Sequence, residues 1–290
     1  MIVIKVQGGL GNQLLQYSFG EALRILHTKE VAYDLSFFET DTKYTSRPYL
    51  LDNFNVTVRV ATQEEIIHAK YPHGIFSQGV SFFRRALNKY VFDTYYVGYT
   101  KSLIPMLIQK NTYYLEGFWQ SYKYYEECLS ELSRQISLKD TSAVETFKQK
   151  VDFDAKVSVS VHIRRGDFLK KNAGTKSLDI DYYKKAIPLL EASVPNPTYF
   201  VFSDDIEWVK NEMGGLFKDV VYASSYGLKD YEEFTLMKEC HHAVLSNSTF
   251  AWYSTLLTNN PAKVVIYSTD WKNPYLNGDS NICPSSWKGI

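Results

Sequence analysis

Apolar and polar positions along the chain change period repeatedly, and the changes mark out its elements. Ile2, Val3, Ile4 and Val6 form a short apolar run closed by Gly8 and Gly9, the pattern of a buried parallel strand. After the glycines, Leu15, Phe19, Ala22 and Leu26 recur at helical spacing with Leu23 beside them, which predicts a helix. Residues 30–34, ending in Asp34, predict a second strand, so the chain opens β-α-β. Residues 40–150 are less regular. Residues 44–59 read as irregular or extended, with Pro48 as a breaker, and 71–79 as loop. Short helices are predicted over 63–69, 81–90 and 122–135, and a strand over 112–116.

From about residue 151 the pattern sharpens. Val157, Val159, Val161 and Ile163 alternate with Ser158, Ser160 and His162, which is strand periodicity. A helix follows from Tyr182, with Pro188 expected to bend or break it. Strands are predicted over 199–203, 220–223, 243–246 and 263–267, separated by helices over 206–213, 231–240 and 250–258. Strands alternating with helices imply a doubly wound parallel sheet. Both ends therefore read as α/β, and 290 residues suit two domains, expected at 1–150 and 151–290 with the boundary near 140–155. No internal repeat or low-complexity segment is present in the sequence.

Composition narrows the function classes. The formal net charge is zero, so no global basic field exists for nucleic acid, and an anionic ligand would need a local cluster. Aromatic residues make up 16%, with 23 tyrosines; their flat faces suit sugar rings as well as cores. Three widely spaced cysteines, Cys128, Cys240 and Cys283, imply no disulfide framework and fit a reducing compartment. The N-terminal run lacks the features of a signal peptide, and no apolar stretch approaches the roughly 18 residues of a spanning helix. A cytoplasmic protein is expected, with peripheral contact to a membrane surface left open.

In open parallel sheets ligands bind beyond the carboxyl ends of the strands, so the residues there carry the candidate chemistry. After the first strand come Gly8, Gly9, Leu10, Gly11, Asn12 and Gln13, a turn feeding a helix N-terminus that can face an anion. Gly9 and Gly11, with Asp34 ending the second strand, begin a dinucleotide fingerprint, but Leu14 stands where its third glycine belongs. An NAD(P)-dependent oxidoreductase is therefore an alternative. After Ile163 come Arg164, Arg165, Gly166 and Asp167. His162 and Arg164 share one strand face, making a local anion site, while Arg165 could simply pair with Asp167. Ser203, Asp204 and Asp205 follow the next strand; carboxylates there suit a guanine edge or sugar hydroxyls, or Asp205 caps the helix. Asn247, Ser248, Thr249 and Phe250 follow another strand, and Ser248 or Thr249 can present donors to a phosphate or serve as an ordinary cap.

Three patterns invite weaker readings. Asp179-Ile180-Asp181 matches a metal-binding D-x-D, but it precedes a helix with no strand before it, so capping is expected. Cys240, His241 and His242 lack a second cluster at zinc spacing, and neighbouring residues do not readily ligate one ion. Phe82, Phe83, Arg84, Arg85 and Lys89 could dock on an anionic membrane or form a solvated amphipathic helix.

Taken together, GGLGNQLLQYSFG (8–20), LEGFWQS (115–121), HIRRGDF (162–168), FSDD (202–205) and EEFTLMKECHHAVLSNSTFAWYSTLL (232–257) resemble the bacterial α-1,2-fucosyltransferases of glycosyltransferase family 11. The resemblance spans nearly the whole chain except about 40–110. It implies a GT-B-like fold of two Rossmann-like domains facing a central cleft. The activity it implies is inverting, metal-independent transfer of fucose from GDP-fucose to a galactose-terminated acceptor during synthesis of a surface polysaccharide or glycan. By resemblance His162 and Asp204 lie by the guanine, Arg164 holds the β-phosphate, and Ser248 with Thr249 the diphosphate. Gly11, Gln13, Ser203, Asp205, Asn247 and Phe250 complete the expected donor site. Asn12 is expected near the fucose or acceptor, and Asp167, ahead of Glu116, is the candidate base. A non-catalytic carbohydrate-binding protein is the remaining alternative, though sugar binding alone needs no anion site.

Overall fold

The computed structural model describes residues 1–39, 47–70, 103–109, 112–169, 177–270 and 282–290. The readings of 71–79 and 81–90, including the Phe82–Lys89 cluster, lie outside the described residues. The chain divides into two compact units.

Unit 1 comprises Met1–Asp52 and Val56–Leu132, with Ile282 and Cys283. Its sheet is parallel, ordered β2-β1-β3, from β1 (Ile2–Lys5), β2 (Val31–Asp34) and β3 (Tyr113–Leu115). Helix α1 (Leu10–His27) buries Leu15, Phe19, Ala22 and Leu23 of the predicted apolar stripe, with Leu14 added to it, whereas Leu26 is only partly buried. It ends at Thr28, whose left-handed backbone lets its N–H reach Arg24 O at 3.1 Å. Gly20 lets α1 lie close on the sheet, because a Cβ there would collide with the Tyr33 hydroxyl. Helix α2 (Gln63–Lys70) follows the pattern. Helix α3 (Leu103–Gln109) does not, since its apolar run LIPMLIQ has no polar face to give it a period. The helix expected over 122–135 is a short 3₁₀ turn at Tyr122–Tyr124 followed by α4 (Leu129–Gln135).

Unit 2 comprises Asn53–Asn55, Ser133 to Asp270 and Pro284–Ile290. Its strands are β4 (Ser158–Ile163), β5 (Thr198–Ser203), β6 (Val220–Tyr222), β7 (His242–Val244), β8 (Val265–Tyr267) and β9 (Lys288–Gly289). All pair in parallel in the order β6-β5-β4-β7-β8-β9, the doubly wound order predicted from strand–helix alternation. Between them run α6 (Ile180–Glu191), α7 (Ile206–Met213), α8 (Asp230–Glu239) and α9 (Thr249–Leu256). Val159, Val161, Ile163, Val201, Val244 and Ile266 meet Tyr183, Ile187 and Leu190 of α6 in the core. Fully burying each such aliphatic side chain contributes roughly 1.5–3 kcal/mol.

Two expectations need correction. Pro188 does not break α6, which runs continuously to Glu191; the proline stands in the last turn, so it forfeits a backbone hydrogen bond with little helix left beyond it to disrupt. The units also do not divide at 150. Helix α5 (Ser142–Val151) belongs with unit 2, because Phe147 packs edge-on against Phe200 of β5 at 6.3 Å. Residues 53–55 cross into unit 2 as well. Asn55 N donates to Ser137 O at 2.7 Å, and Phe54 lies 6.2 Å from the ring of Phe234.

Candidate active site

The strand order of unit 2 reverses between β4 and β7, so a ligand crevice is expected at their carboxyl ends. His162 and Ser246 meet there, with His162 Nδ1 2.6 Å from Ser246 Oγ. Burial, reinforced by the positive Arg164, pulls the His162 imidazole down to about 3, so the ring is neutral near pH 7. Its carbonyl accepts from the Tyr183 hydroxyl at 3.1 Å, and its ring lies 5.8 Å from Phe250.

Arg164 and Arg165, just beyond the end of β4, engage different partners. Arg164 Nη1 donates to Asp204 Oδ2 at 3.1 Å, and the guanidinium lies 5.8 Å from the Phe168 ring. Arg165 stacks on Trp208 at 3.4 Å, and its Nε donates to Asp205 Oδ2 at 3.1 Å. Among the described side chains its partners are Asp205 and Trp208. The side chain of Asp167 lies outside the described residues. A Cβ at Gly166 would stand 2.6 Å from Asp204 Oδ2, so a larger residue there would have to displace the carboxylate that holds Arg164.

The carboxylates after β5 are engaged by their own chain. Asp204 Oδ1 accepts from Arg165 N at 2.8 Å while Oδ2 holds Arg164, so both of its oxygens are engaged by the protein itself. Asp205 stands at the start of α7 without a side-chain capping bond, its carboxylate turned to Arg165. Ser203 Oγ accepts from Asp205 N at 3.1 Å, and Ser203 N donates to Ser224 Oγ at 3.0 Å.

One neighbour escaped the sequence reading. Glu233, in the first turn of α8, is hydrogen-bonded to Ser224 and feels the charges of Asp230 and Asp204. Burial is the largest cause raising its carboxyl to about 7. The sequence held only a weak signal, since EE in the first turn of a helix is ordinary dipole complementation.

At the end of β7, Asn247 and Ser248 are buried and Ser248 is the N-cap of α9. The Ser248 hydroxyl makes no capping bond, so it does not behave as an ordinary cap. Ser248 and Thr249 thus begin a helix on the strand next to the one carrying Arg164.

In unit 1, Gly8 adopts φ +85°, a left-handed conformation that favours glycine. A Cβ there would also come within 2.9 Å of Asn12 Nδ2. Gly9 caps α1, placing Gly11 and Asn12 in its first turn. Gln13 is fully buried. Its Nε2 donates to Gly8 O and Pro48 O, both at 2.9 Å, and its Oε1 accepts from Leu50 N at 2.9 Å. Both amide hydrogens are used, so Gln13 ties residues 48–50 to the turn and is removed from the expected donor site. Glu116 Oε1 lies 3.2 Å from Lys5 Nζ. Asp34, the acidic residue of the incomplete dinucleotide fingerprint, is buried and accepts from the Tyr114 hydroxyl at 2.6 Å.

The weaker patterns resolve structurally. Asp179 caps α6, accepting from Asp181 N at 3.0 Å. His241 Nδ1 lies 2.7 Å from Ser158 Oγ, and His242 Nδ1 accepts from Val264 N at 2.9 Å. Among the described residues no helix is long and apolar enough to cross a membrane.

Two parallel α/β sheets, one with a neutral histidine, an arginine and a helix start at its reversal point, define a GT-B-like transferase rather than an oxidoreductase with a complete dinucleotide fingerprint. The chain belongs to glycosyl transferase family 11, whose family model matches residues 76–290. It is 27% identical to an alpha-1,2-colitosyltransferase of Escherichia coli, over 100% of this chain and 99% of that protein. It is 23% identical to the galactoside 2-alpha-L-fucosyltransferase Sec1 of Mus musculus, over 95% of this chain and 69% of that one. Its fold is that of the NodZ alpha-1,6-fucosyltransferase co-crystallized with GDP, with TM-score 0.53 at 15% identity, covering 91% of this chain and 94% of that one.

Proposed function

We propose that this glycosyltransferase moves L-fucose from GDP-β-L-fucose to the 2-hydroxyl of a terminal β-galactoside, with inversion and without a divalent metal. The observation that supports the proposal is that Arg164 follows β4 and the Ser248–Thr249 helix start follows β7, the adjacent parallel strand. As GDP departs, negative charge grows on the diphosphate. A fixed guanidinium and a helix N-terminus stabilise that charge without reorganising, which is the role magnesium plays elsewhere. Asp204 holds Arg164 in place for this.

The buried His162 and the Glu233 carboxylate give the guanine an anchor, with Phe250 beside the histidine. Guanine donates from N1–H and its 2-amino group, and a carboxylate accepts both. The acceptor hydroxyl attacks the face of the oxocarbenium-like carbon opposite GDP, so a β-linked donor gives an α-linked product. Asp167 is the first candidate to take its proton, and Glu116, paired with Lys5, the second. Asn12 is assigned to the reacting sugars.

The similarity to a colitosyltransferase favours a second donor, since colitose is fucose without its 3-hydroxyl. Incubation with GDP-fucose or GDP-colitose, a panel of β-galactosides and excess EDTA tests the whole reading, with the product linkage assigned by NMR. An α-1,2-fucosyl product in EDTA is expected. Transfer only of colitose would overturn the donor assignment, and loss of activity in EDTA the metal-free mechanism.

A further inference from the structure

A neutral imidazole carries a single ring proton, and the nitrogen that holds it decides what the ring offers a ligand. In His162 the question turns on Ser246, whose Oγ lies 2.6 Å from Nδ1, with both residues buried. The pair spans the carboxyl ends of β4 and β7, and consecutive tyrosines of α6 hold the backbone on each side. Tyr183 donates its hydroxyl to His162 O at 3.1 Å, and Tyr182 donates to Leu245 O, just before Ser246, at 2.8 Å. Phe250 lies beside the imidazole, 5.8 Å from it.

Hydrogen-bond accounting sets the direction of the bond. If Nδ1 carried the proton, it would donate to Ser246 Oγ, and the serine O–H would need an acceptor of its own. Among the described residues Ser246 Oγ has no partner besides His162. A buried donor left unmet costs more than an ordinary hydrogen bond contributes. The reverse arrangement leaves nothing unmet: the serine O–H donates to Nδ1, and the ring proton sits on Nε2. Burial and the Arg164 charge keep a second proton off the ring near pH 7. Nε2 has no partner among the described residues, and it is not one of the enclosed polar atoms that lack one, so it keeps an opening to solvent.

Guanine suits a donor at that opening. Its O6 accepts, and it adjoins the N1–H and 2-amino group assigned above to Glu233. Adenine carries an amino group in place of O6 and would meet Nε2–H donor to donor. We infer that Ser246 is a positioning residue of the nucleotide site: its hydroxyl donates to His162 Nδ1, fixes the tautomer protonated on Nε2 and makes that nitrogen a hydrogen-bond donor to guanine O6. The inference rests on the GDP-fucose reading above, and it adds how the site selects its base.

The test joins nitrogen NMR of the histidine-labelled full chain to calorimetry. Resonances missing from His162→Gln identify the ring, and at pH 7 the wild type should show Nε2 protonated and Nδ1 bare. GDP and 6-thio-GDP are then titrated into the wild type and Ser246→Ala. The thione is a weaker acceptor than O6, while N1–H and the 2-amino group remain. Ser246→Ala should weaken GDP binding by roughly tenfold, about the weight of one neutral hydrogen bond. The wild type should bind 6-thio-GDP several-fold more weakly than GDP, and Ser246→Ala should bind the two about equally, because both changes act on one contact. A serine that only packs would lower both affinities by the same factor, and that result overturns the inference. A proton found on Nδ1 in the wild type overturns it as well. Where Ser246→Ala melts early, the wild type decides alone, through its spectrum and its preference for GDP over 6-thio-GDP; equal binding of the two overturns the contact to O6. If the wild type binds no GDP, the donor reading falls and this inference with it. GDP binding with the proton on Nδ1 sinks this inference only.

Discussion

Adjacent arginines separate the demands of chemistry from those of folding. Arg164 is held by one carboxylate at a strand end, whereas Arg165 is sandwiched between Trp208 and Asp205. Arg164→Ala is expected to lower kcat/KM by roughly 10²–10³, the usual loss on removing one preorganised charge stabiliser. Arg164→Lys should recover little, because an ammonium cannot reproduce the planar fork. Thermal melts of both variants should stay close to the wild type, and a large drop would reassign Arg164 to structure. Arg165→Ala should do the reverse. It removes a stacked cation and its packing, destabilising by about 1–2 kcal/mol in urea titrations, while turnover below the melting range changes only a few-fold. The sequence placed both side chains on opposite strand faces but could not name their partners, since Trp208 and Asp205 lie on another element. It could not reveal that Gln13 is consumed by Gly8, Pro48 and Leu50 either, because long-range backbone partners leave no local pattern.

At the scale of elements, α8 couples stability to pH through Glu233. Burial raises its carboxyl from the ordinary 4.5 to about 7, so the fold prefers the protonated form. The sign follows from linkage: this stabilisation is complete below about pH 4.5 and is lost as pH rises through about 7. Glu233→Gln removes that loss, and at pH 8 the variant should be more stable than the wild type by up to about 3 kcal/mol. Its affinity for GDP should fall at the same pH, because the carboxylate assigned to guanine is gone. Denaturant melts and calorimetric titration at pH 5 and 8 separate the two effects; a variant that binds GDP as tightly as the wild type at pH 8 removes Glu233 from the site. Most helices and strands of unit 2 were legible, since β4, β5, α6 and α7 carry clean periodicity and turn signals between them. Helix α5 was missed although Val144 and Phe147 already sat at helical spacing, because its apolar face is only two residues wide. Strand β9 is two residues long and pairs with β8 at the sheet edge, so no period can announce it.

At the scale of the whole molecule, zero net charge excludes a global field but permits a local one, and the order of the two sheets decides where it lies. The division into units was only roughly legible, because residues 53–55 join unit 2, and Ile282 and Cys283 join unit 1, from far away in sequence. In unit 2 the reversal point gathers Arg164, the neutral His162 and the start of α9, while in unit 1 Lys5 and Glu116 neutralise each other at the strand ends. An anionic nucleotide should therefore stabilise the molecule through unit 2 alone and without help from a cation. A ligand that binds only the native state adds RT ln(1 + [L]/Kd), or about 2.7 kcal/mol at a hundredfold excess over Kd. GDP at that excess should raise the melting temperature equally in EDTA and in magnesium, and NAD at the same concentration should leave it unmoved. Arg164→Ala should lose much of the GDP shift, since it removes a cation assigned to the diphosphate. A GDP shift that appears only with magnesium would mean that the guanidinium and the helix start do not suffice for the diphosphate, and the metal-free mechanism would have to be abandoned.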